Sequence, residues 1–165
     1  MPGTLTTSAR TPATDTTAPA LEDLSLTGPS VDAATGQASV QIQAQLSDPL
    51  AGIAYGGFSY NAPEGNQSIW LSFDRDNLIQ GDANNGTVLA AGTLPVNAAA
   101  GTWRLGTIEL RDQAQNSAYY SGDALAALIT ALGLDSTVTS FEVVNSFPDT
   151  TAPALEDLSL TGPSV

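Results

Sequence analysis

The side chains able to do chemistry in this chain are nearly all oxygen acids. Asp and Glu number 17 against 4 basic residues, every one of them Arg, and the chain has no His and no Cys. Without imidazole the commonest general base and transition-metal ligand is missing. Without thiol there is no disulfide, no thiolate nucleophile and no zinc–thiolate site. What remains is carboxylate and amide oxygen, the donor set of a hard cation such as calcium, which gathers roughly six to eight oxygens. The candidate ligands are Asp15, Asp48, Asp74, Asp76, Asn77, Asp82, Asp112, Asn116 and Asp149. Asp74 and Asp76, at strand spacing and so on one side, could also form an acid/base pair for glycoside hydrolysis. No third group in the sequence tunes either pKa, and an array of identical units does not need a hydrolase in each, so no enzyme is expected. Residues 74–85 superficially match a calcium-binding EF-hand loop, but the sixth place is Ile79 and the twelfth Asn85, where that loop needs Gly and Glu.

The position of two of these acids is set by a repeat. Residues 15–31 read DTTAPALEDLSLTGPSV, and residues 149–165 read the same seventeen letters, an offset of 134 residues. Identity of that length points to recent duplication in an array of near-identical units. The expected organisation is a flexible flank at 1–14, a complete unit at 15–148, and at 149–165 the linker and first strand of the next unit, so that the chain reads as an excised, monomeric fragment. A unit of this size can bury its own core. Within it fourteen acids face three Arg, a charge of −11, which repels nucleic acid, anionic membranes and neighbouring copies alike; divalent cations are the obvious neutraliser. The longest apolar run, 124–132, is far short of the roughly 20 residues of a membrane span, so no membrane insertion is expected.

The elements that must hold these acids are strands. Residues 39–47 alternate Val40, Ile42, Ala44 and Leu46 with Ser and Gln, the period-2 pattern of a half-buried antiparallel strand. Residues 21–27, 53–60, 68–73, 87–94, 102–110 and 137–144 follow as further strands between turn clusters such as TGPS, NAPEGNQ and DANNG. About seven strands with such turns predict an all-β, immunoglobulin-like antiparallel sandwich. In 102–110 the inward phase passes from Trp103 and Leu105 to Ile108 and Leu110, which places a bulge at Gly106. One short helix is expected at 123–132, with Leu125, Leu128, Ile129 and Leu132 on one face, Asp123 at its start and Gly133 as its stop. It is expected to lie on the sandwich as a lid over Trp70.

Consecutive loops of an up-and-down sandwich alternate between its two ends. Asp48, the Asp74–Asp82 group, Asp112 and Asn116 then fall at the end where the chain enters at Asp15, leaving Asp32 and Glu64 at the other. A calcium cluster at each junction between units is the inference.

The linker DTTAP, at Asp15 and again at Asp149, together with LRDQAQNS at 110–117, resembles the linker and D-x-A-x-N loop of bacterial immunoglobulin-like repeats, the extender regions of large repeats-in-toxin adhesins. The resemblance implies units stacked end to end with calcium at the linkers, Asp15 and Asp149 as linker ligands and Asp112 with Asn116 as loop ligands. It also implies an extracellular place on a bacterial cell surface, neighbouring identical repeats as the partners, and reach as the function, with no small-molecule substrate. Gln115 stands where many relatives have Gly. The competing expectation is a carbohydrate-binding accessory module using Trp70, Tyr119 and Tyr120 as a stacking platform.

Overall fold

A computed structural model describes residues 14–28, 30–33, 37–146 and 154. Asp149, the second copy of the repeat and residues 1–13 therefore lie outside the described residues.

The strands are β1 Ala20–Thr27, β2 Ser30–Asp32, β3 Ala38–Ser47, β4 Ile53–Asn61, β5 Ser68–Asp74, β6 Leu78–Gly81, β7 Asn85–Leu94, β8 Gly101–Asp112, β9 Ser117–Ser121 and β10 Ser140–Val144. Helices α1 Gly122–Leu132 and α2 Ser136–Thr139 lie between β9 and β10. All ten strands belong to one hydrogen-bonded sheet in the order β1-β3-β7-β5-β4-β8-β10-β2, with β6 beside β7 and β9 beside β8. The all-β class is as expected. The sheet is a curled half-barrel with ten strands where about seven were expected, and there are two α-helices among the described residues where one was expected. The additional strands β2, β6 and β9 have three, four and five residues, too few to leave a period-2 signature. The segment expected as a strand from 137 begins instead as α2, because the Asp135 carboxylate accepts the Thr137 N–H at 2.8 Å and nucleates a helical turn.

Alternation decides which side of the curl is the core. Val40, Ile42, Ala44 and Leu46 of β3 are all buried, as are Ile69, Leu71 and Phe73 of β5 and Val88, Ala90 and Leu94 of β7. Burying each such large side chain contributes about 1.5–3 kcal/mol. Opposite them an aromatic group closes the core: Phe141 lies 5.2 Å from Tyr60 and 6.1 Å from Trp103, ring centre to ring centre. The polar tips are satisfied, the Tyr60 hydroxyl donating to the Val138 carbonyl at 2.9 Å and the Trp103 indole N–H to the Ala99 carbonyl at 2.8 Å. Burial pushes the Tyr60 phenol well above its usual range.

Strand β8 carries the expected bulge. Thr107 pairs with Ser59 and Leu105 with Tyr60, so Gly106 is skipped in the ladder with β4. The skip reverses the alternation, and Trp103, Leu105, Ile108 and Leu110 all turn inward.

Helix α1 packs on β8 and β9, with Leu125 buried and Leu128, Ile129 and Leu132 half-buried against the core. Gly133 ends it at φ 66°, and the Leu134 N–H reaches back to the Ile129 carbonyl at 3.0 Å. The helix does not cover Trp70, which remains 44% exposed. The Trp70 indole lies instead over Gly57 of the adjacent strand β4. A Cβ at Gly57 would come within 2.6 Å of Trp70 Cε2 and within 2.6 Å of the Leu71 carbonyl oxygen. The carbonyl belongs to the sheet ladder and cannot retreat. Gly57→Ala is therefore expected to cost about 1–3 kcal/mol and to lift the indole into water, read as a lower melting temperature with red-shifted Trp emission. An unchanged melting temperature would remove this account of Gly57.

Candidate cation site

The loops at one end of the molecule converge as strand alternation requires. Loop β3–β4 grips loop β6–β7: the Asp48 N–H donates to the Asn84 carbonyl at 2.8 Å, the Asn84 amide donates to the Asp48 carbonyl at 2.9 Å, and the Ile53 N–H donates to the Ala83 carbonyl at 2.7 Å. Loop β8–β9 joins them through the Gln113 N–H, which donates to the Gly52 carbonyl at 3.1 Å. The incoming chain is tied on by Asp15, whose Oδ2 accepts the Ala51 N–H at 2.8 Å and whose carbonyl accepts the Asn116 amide at 3.3 Å.

At this junction Asp15, Asp48 and Asp112 each present a carboxylate oxygen, and the three oxygens lie within 4.8 Å of one another. Each acid is fixed by its own loop. Asp48, 1% exposed, ends β3 in the sequence Asp-Pro-Leu-Ala-Gly, and its Oδ1 accepts the N–H groups of Leu50, Ala51 and Gly52 at 3.1, 3.0 and 3.0 Å. The wrap needs Gly52 at φ +76°, where a side chain would be strained and would crowd Ala83. Its second oxygen, Oδ2, is buried and has no hydrogen-bond partner. Asp112 is fully buried at the end of β8, and Asn116 holds both its oxygens, through the backbone N–H at 2.8 Å and the side-chain amide at 2.7 Å. That loop closes with Gln115 at φ 71°, a left-handed conformation that costs a side chain about 1–2 kcal/mol and explains why Gly suits the position.

Asp15 is the most exposed of the three. Hydrogen bonds from the Thr17 N–H and hydroxyl, at 2.9 and 2.7 Å, hold its carboxyl below the usual 3.8, opposed by partial desolvation and helped by the Ala51 N–H. A carboxyl depressed in the fold stabilises at pH above its unfolded value and loses that contribution as pH falls through 3.8 and below. Asp15→Asn should therefore flatten the acid limb of the stability curve, removing part of the loss that the parent chain shows as pH falls below 3.8; an acid limb identical to the parent chain's would count against the tether.

The donor set suits a hard cation. Three carboxylates converge, and the Asn116 N–H and side-chain amide position Asp112 as hydrogen-bond donors. Among the described residues no Arg neutralises them: Arg75 donates to Gln113 at 3.2 Å, and the ion pair found is Arg111 with Glu109. An all-oxygen anionic set with a buried unpartnered oxygen fits a divalent cation of the calcium or magnesium type and not a nitrogen- or sulfur-seeking metal. The Asp triad could hold a metal ion.

Of the other expected ligands, Asp74, Asn77 and Asp82 serve their own turns at the same end. The Asp74 carboxylate accepts the Asp76 N–H at 2.8 Å, and the Asn77 side chain accepts the Asp74 N–H at 2.8 Å, a capping box on a 3-10 turn at Arg75–Asn77. Asp82 accepts the Asn84 and Asn85 N–H groups at 2.9 and 3.0 Å. Asp74, Asp76, Asn77 and Asp82 are outside the triad. Sequence reading missed Thr17, Asn84 and Gly52 as supports; the short Asp-to-Gly spacing in DPLAG was the one signal available, since a carboxylate followed by Gly at that distance is built to collect backbone N–H groups.

Fold and site together define a β-rich unit with a carboxylate triad that could hold a metal ion beside Asp15. Compared with models of protein families, with curated proteins and with solved structures, the chain matches none.

Proposed function

We propose that the chain is a structural spacer unit of a tandem-repeat bacterial surface adhesin, stiffened by calcium at the junction between units. One observation carries the reading: Asp15, the first residue of the exact repeat, meets Asp48 and Asp112, and the buried Asp48 Oδ2 lacks a partner. A cation there ties the linker to the body of the unit that follows it, and in an array every linker would be tied the same way. The partners are neighbouring identical repeats, the place is outside the cell, and the work is reach without catalysis.

An immunoglobulin-like sandwich is the finer fold we propose within the curled sheet. Two observations support it. Strands β5 and β7 join through a single residue pair, Ser72 with Ala91, so the sheet is nearly divided there into β1-β3-β7 with β6 and β5-β4-β8-β10-β2 with β9. The chain also passes from β1 at one extremity of the strand order to β2 at the other across residues 28 and 29, which brings the two edges together.

Small-angle scattering of several joined units tests the function. With calcium each added unit should lengthen the particle by roughly 30–45 Å, as strands of this length rise about 3.3 Å per residue. Chelation should shorten and loosen it. Dimensions indifferent to chelation would refute the junction role.

The glycan-binding reading keeps one supporting observation. By register, Trp70, Tyr55 and Tyr119 share the outer face of β5, β4, β8 and β9, all three exposed. Tyr120 points the other way and packs on the core, so the expected platform loses one member. Saturable retention on a glycan array, lost in Trp70→Ala, would favour this second reading.

A further inference from the structure

Residues 15–31 occupy a seat formed by the rest of the unit. Ala20 to Thr27 pair antiparallel with β3, from Ser47 to Gln41, and Val31 pairs in parallel with Val143 of β10. Leu21 and Leu24, 4% and 3% exposed, enter the core, and Asp15 completes the carboxylate triad. Residues 149–165 are letter for letter the same segment, so they can make every one of these contacts. Among the described residues there is one seat for the two segments.

Geometry decides which molecule can supply the second copy. Strand β10 leaves the body at Val144, which pairs with Asp32, the last residue of β2. This is the end of the seat farthest from Asp15. The eleven strand residues of β1 and β2 span roughly 36 Å at about 3.3 Å each. The three residues from Ser146 to Asp149 reach at most about 11 Å. The chain's own second copy cannot place Asp149 where Asp15 lies, whereas the copy on another molecule can. We propose that residues 149–165 of one molecule can take the β3/β10 seat of another once that molecule's own residues 15–31 are displaced from it, giving head-to-tail strand-exchanged assemblies. The donor departs from one end of its own body and docks at the opposite end of the acceptor, so the contact is heterologous and open-ended. Tethered and foreign segments make the same contacts, so the tethered one wins only through its effective concentration, of the order of millimolar. Weakening the first copy alone should hand the seat to the second.

The test uses the full chain carrying Leu21→Asp and Leu24→Asp, with mass followed by light scattering after size exclusion. At tens of micromolar the variant should at least double in mass, while the parent chain stays monomeric. Addition of a peptide with the sequence of residues 149–165 should return the variant to one chain plus one peptide and raise its melting temperature. A second variant that adds Leu155→Asp and Leu158→Asp should be monomeric at every concentration yet still be rescued by the peptide. Two results would overturn the proposal: association that persists in the second variant, or a first variant, folded or not, that neither associates nor responds to the peptide. Because the β1–β3 ladder and the burial of Leu21 and Leu24 use backbone and apolar groups and no cation ligand, the measurements are made both with calcium and with chelator, and failure of the calcium reading leaves their outcome unchanged.

Discussion

Asp48→Asn should reverse the sign of its own effect according to whether calcium is present. On the calcium reading proposed above, free calcium at about a hundred times its dissociation constant should stabilise the parent fold by roughly 2.7 kcal/mol, or about 10 °C in melting temperature for a unit of this size. The Asn variant keeps an oxygen to accept the Leu50, Ala51 and Gly52 N–H groups, so its loop survives. It loses one of three charges whose oxygens crowd within 4.8 Å, and with it a cation ligand. In chelator the variant should therefore melt at or above the parent temperature, because repulsion is relieved. In millimolar calcium it should melt several degrees below, because the ion is held by two carboxylates. Thermal unfolding of both proteins in both buffers gives the four values. An equal calcium shift in parent and variant would show that the ion, if bound, sits elsewhere.

Trp103→Ala should be the most damaging single truncation in the core. Trp103 is 1% exposed and is the largest of the fully buried side chains. Its ring stacks on Phe141 at 6.1 Å and an interplanar angle of 19°, and its N–H satisfies the Ala99 carbonyl at 2.8 Å. Removal combines lost burial, a cavity beneath β10 and an unpaired buried carbonyl, together about 3–5 kcal/mol. That is a large fraction of the total stability of a domain this size. Denaturant unfolding should show a lower midpoint, and the emission left over should be the red-shifted signal of half-exposed Trp70. Trp103→Phe should recover much of the packing but not the hydrogen bond. A loss below about 1 kcal/mol for the Ala variant would mean that the site collapses around the change.

The longer elements were legible because their patterns were long enough to state a period. Strand β3 was expected at 39–47 and runs Ala38–Ser47; the helix was expected at 123–132 and runs Gly122–Leu132. The bulge at Gly106 was legible for the same reason, since a phase reversal inside a twelve-residue strand has room to show. Sheet closure was not. Whether strands fall into two sheets or one curled sheet turns on a single pair, Ser72 with Ala91, and no local pattern encodes a lone pairing of that kind. At the site, loop order correctly placed the acids at one end, but it could not divide them by role. Asp74 and Asp82 found partners two or three residues along their own backbone, a competition invisible to end-counting. Asp48 also collects local N–H groups and still has an oxygen left over. That remainder, and not the density of acids, is what distinguishes the pocket.

The parallel pairing of β2 with β10 has a mechanical consequence. In the array proposed above, anchored at one end and gripped at the other, load would enter each unit at Asp15 and leave beyond Ser146. The first strands are drawn toward their beginning and β10 toward its end. In a parallel pair these pulls slide the strands past one another, so the bonds from Glu142 to Ser30 through Val144 to Asp32, with the Ala33 N–H on the Val144 carbonyl at 3.0 Å, are strained together. An antiparallel pair loaded from one end would instead unzip, its bonds breaking in succession. Single-molecule pulling should accordingly find each unit yielding in one abrupt event, with β2 and β10 acting as a shear lock.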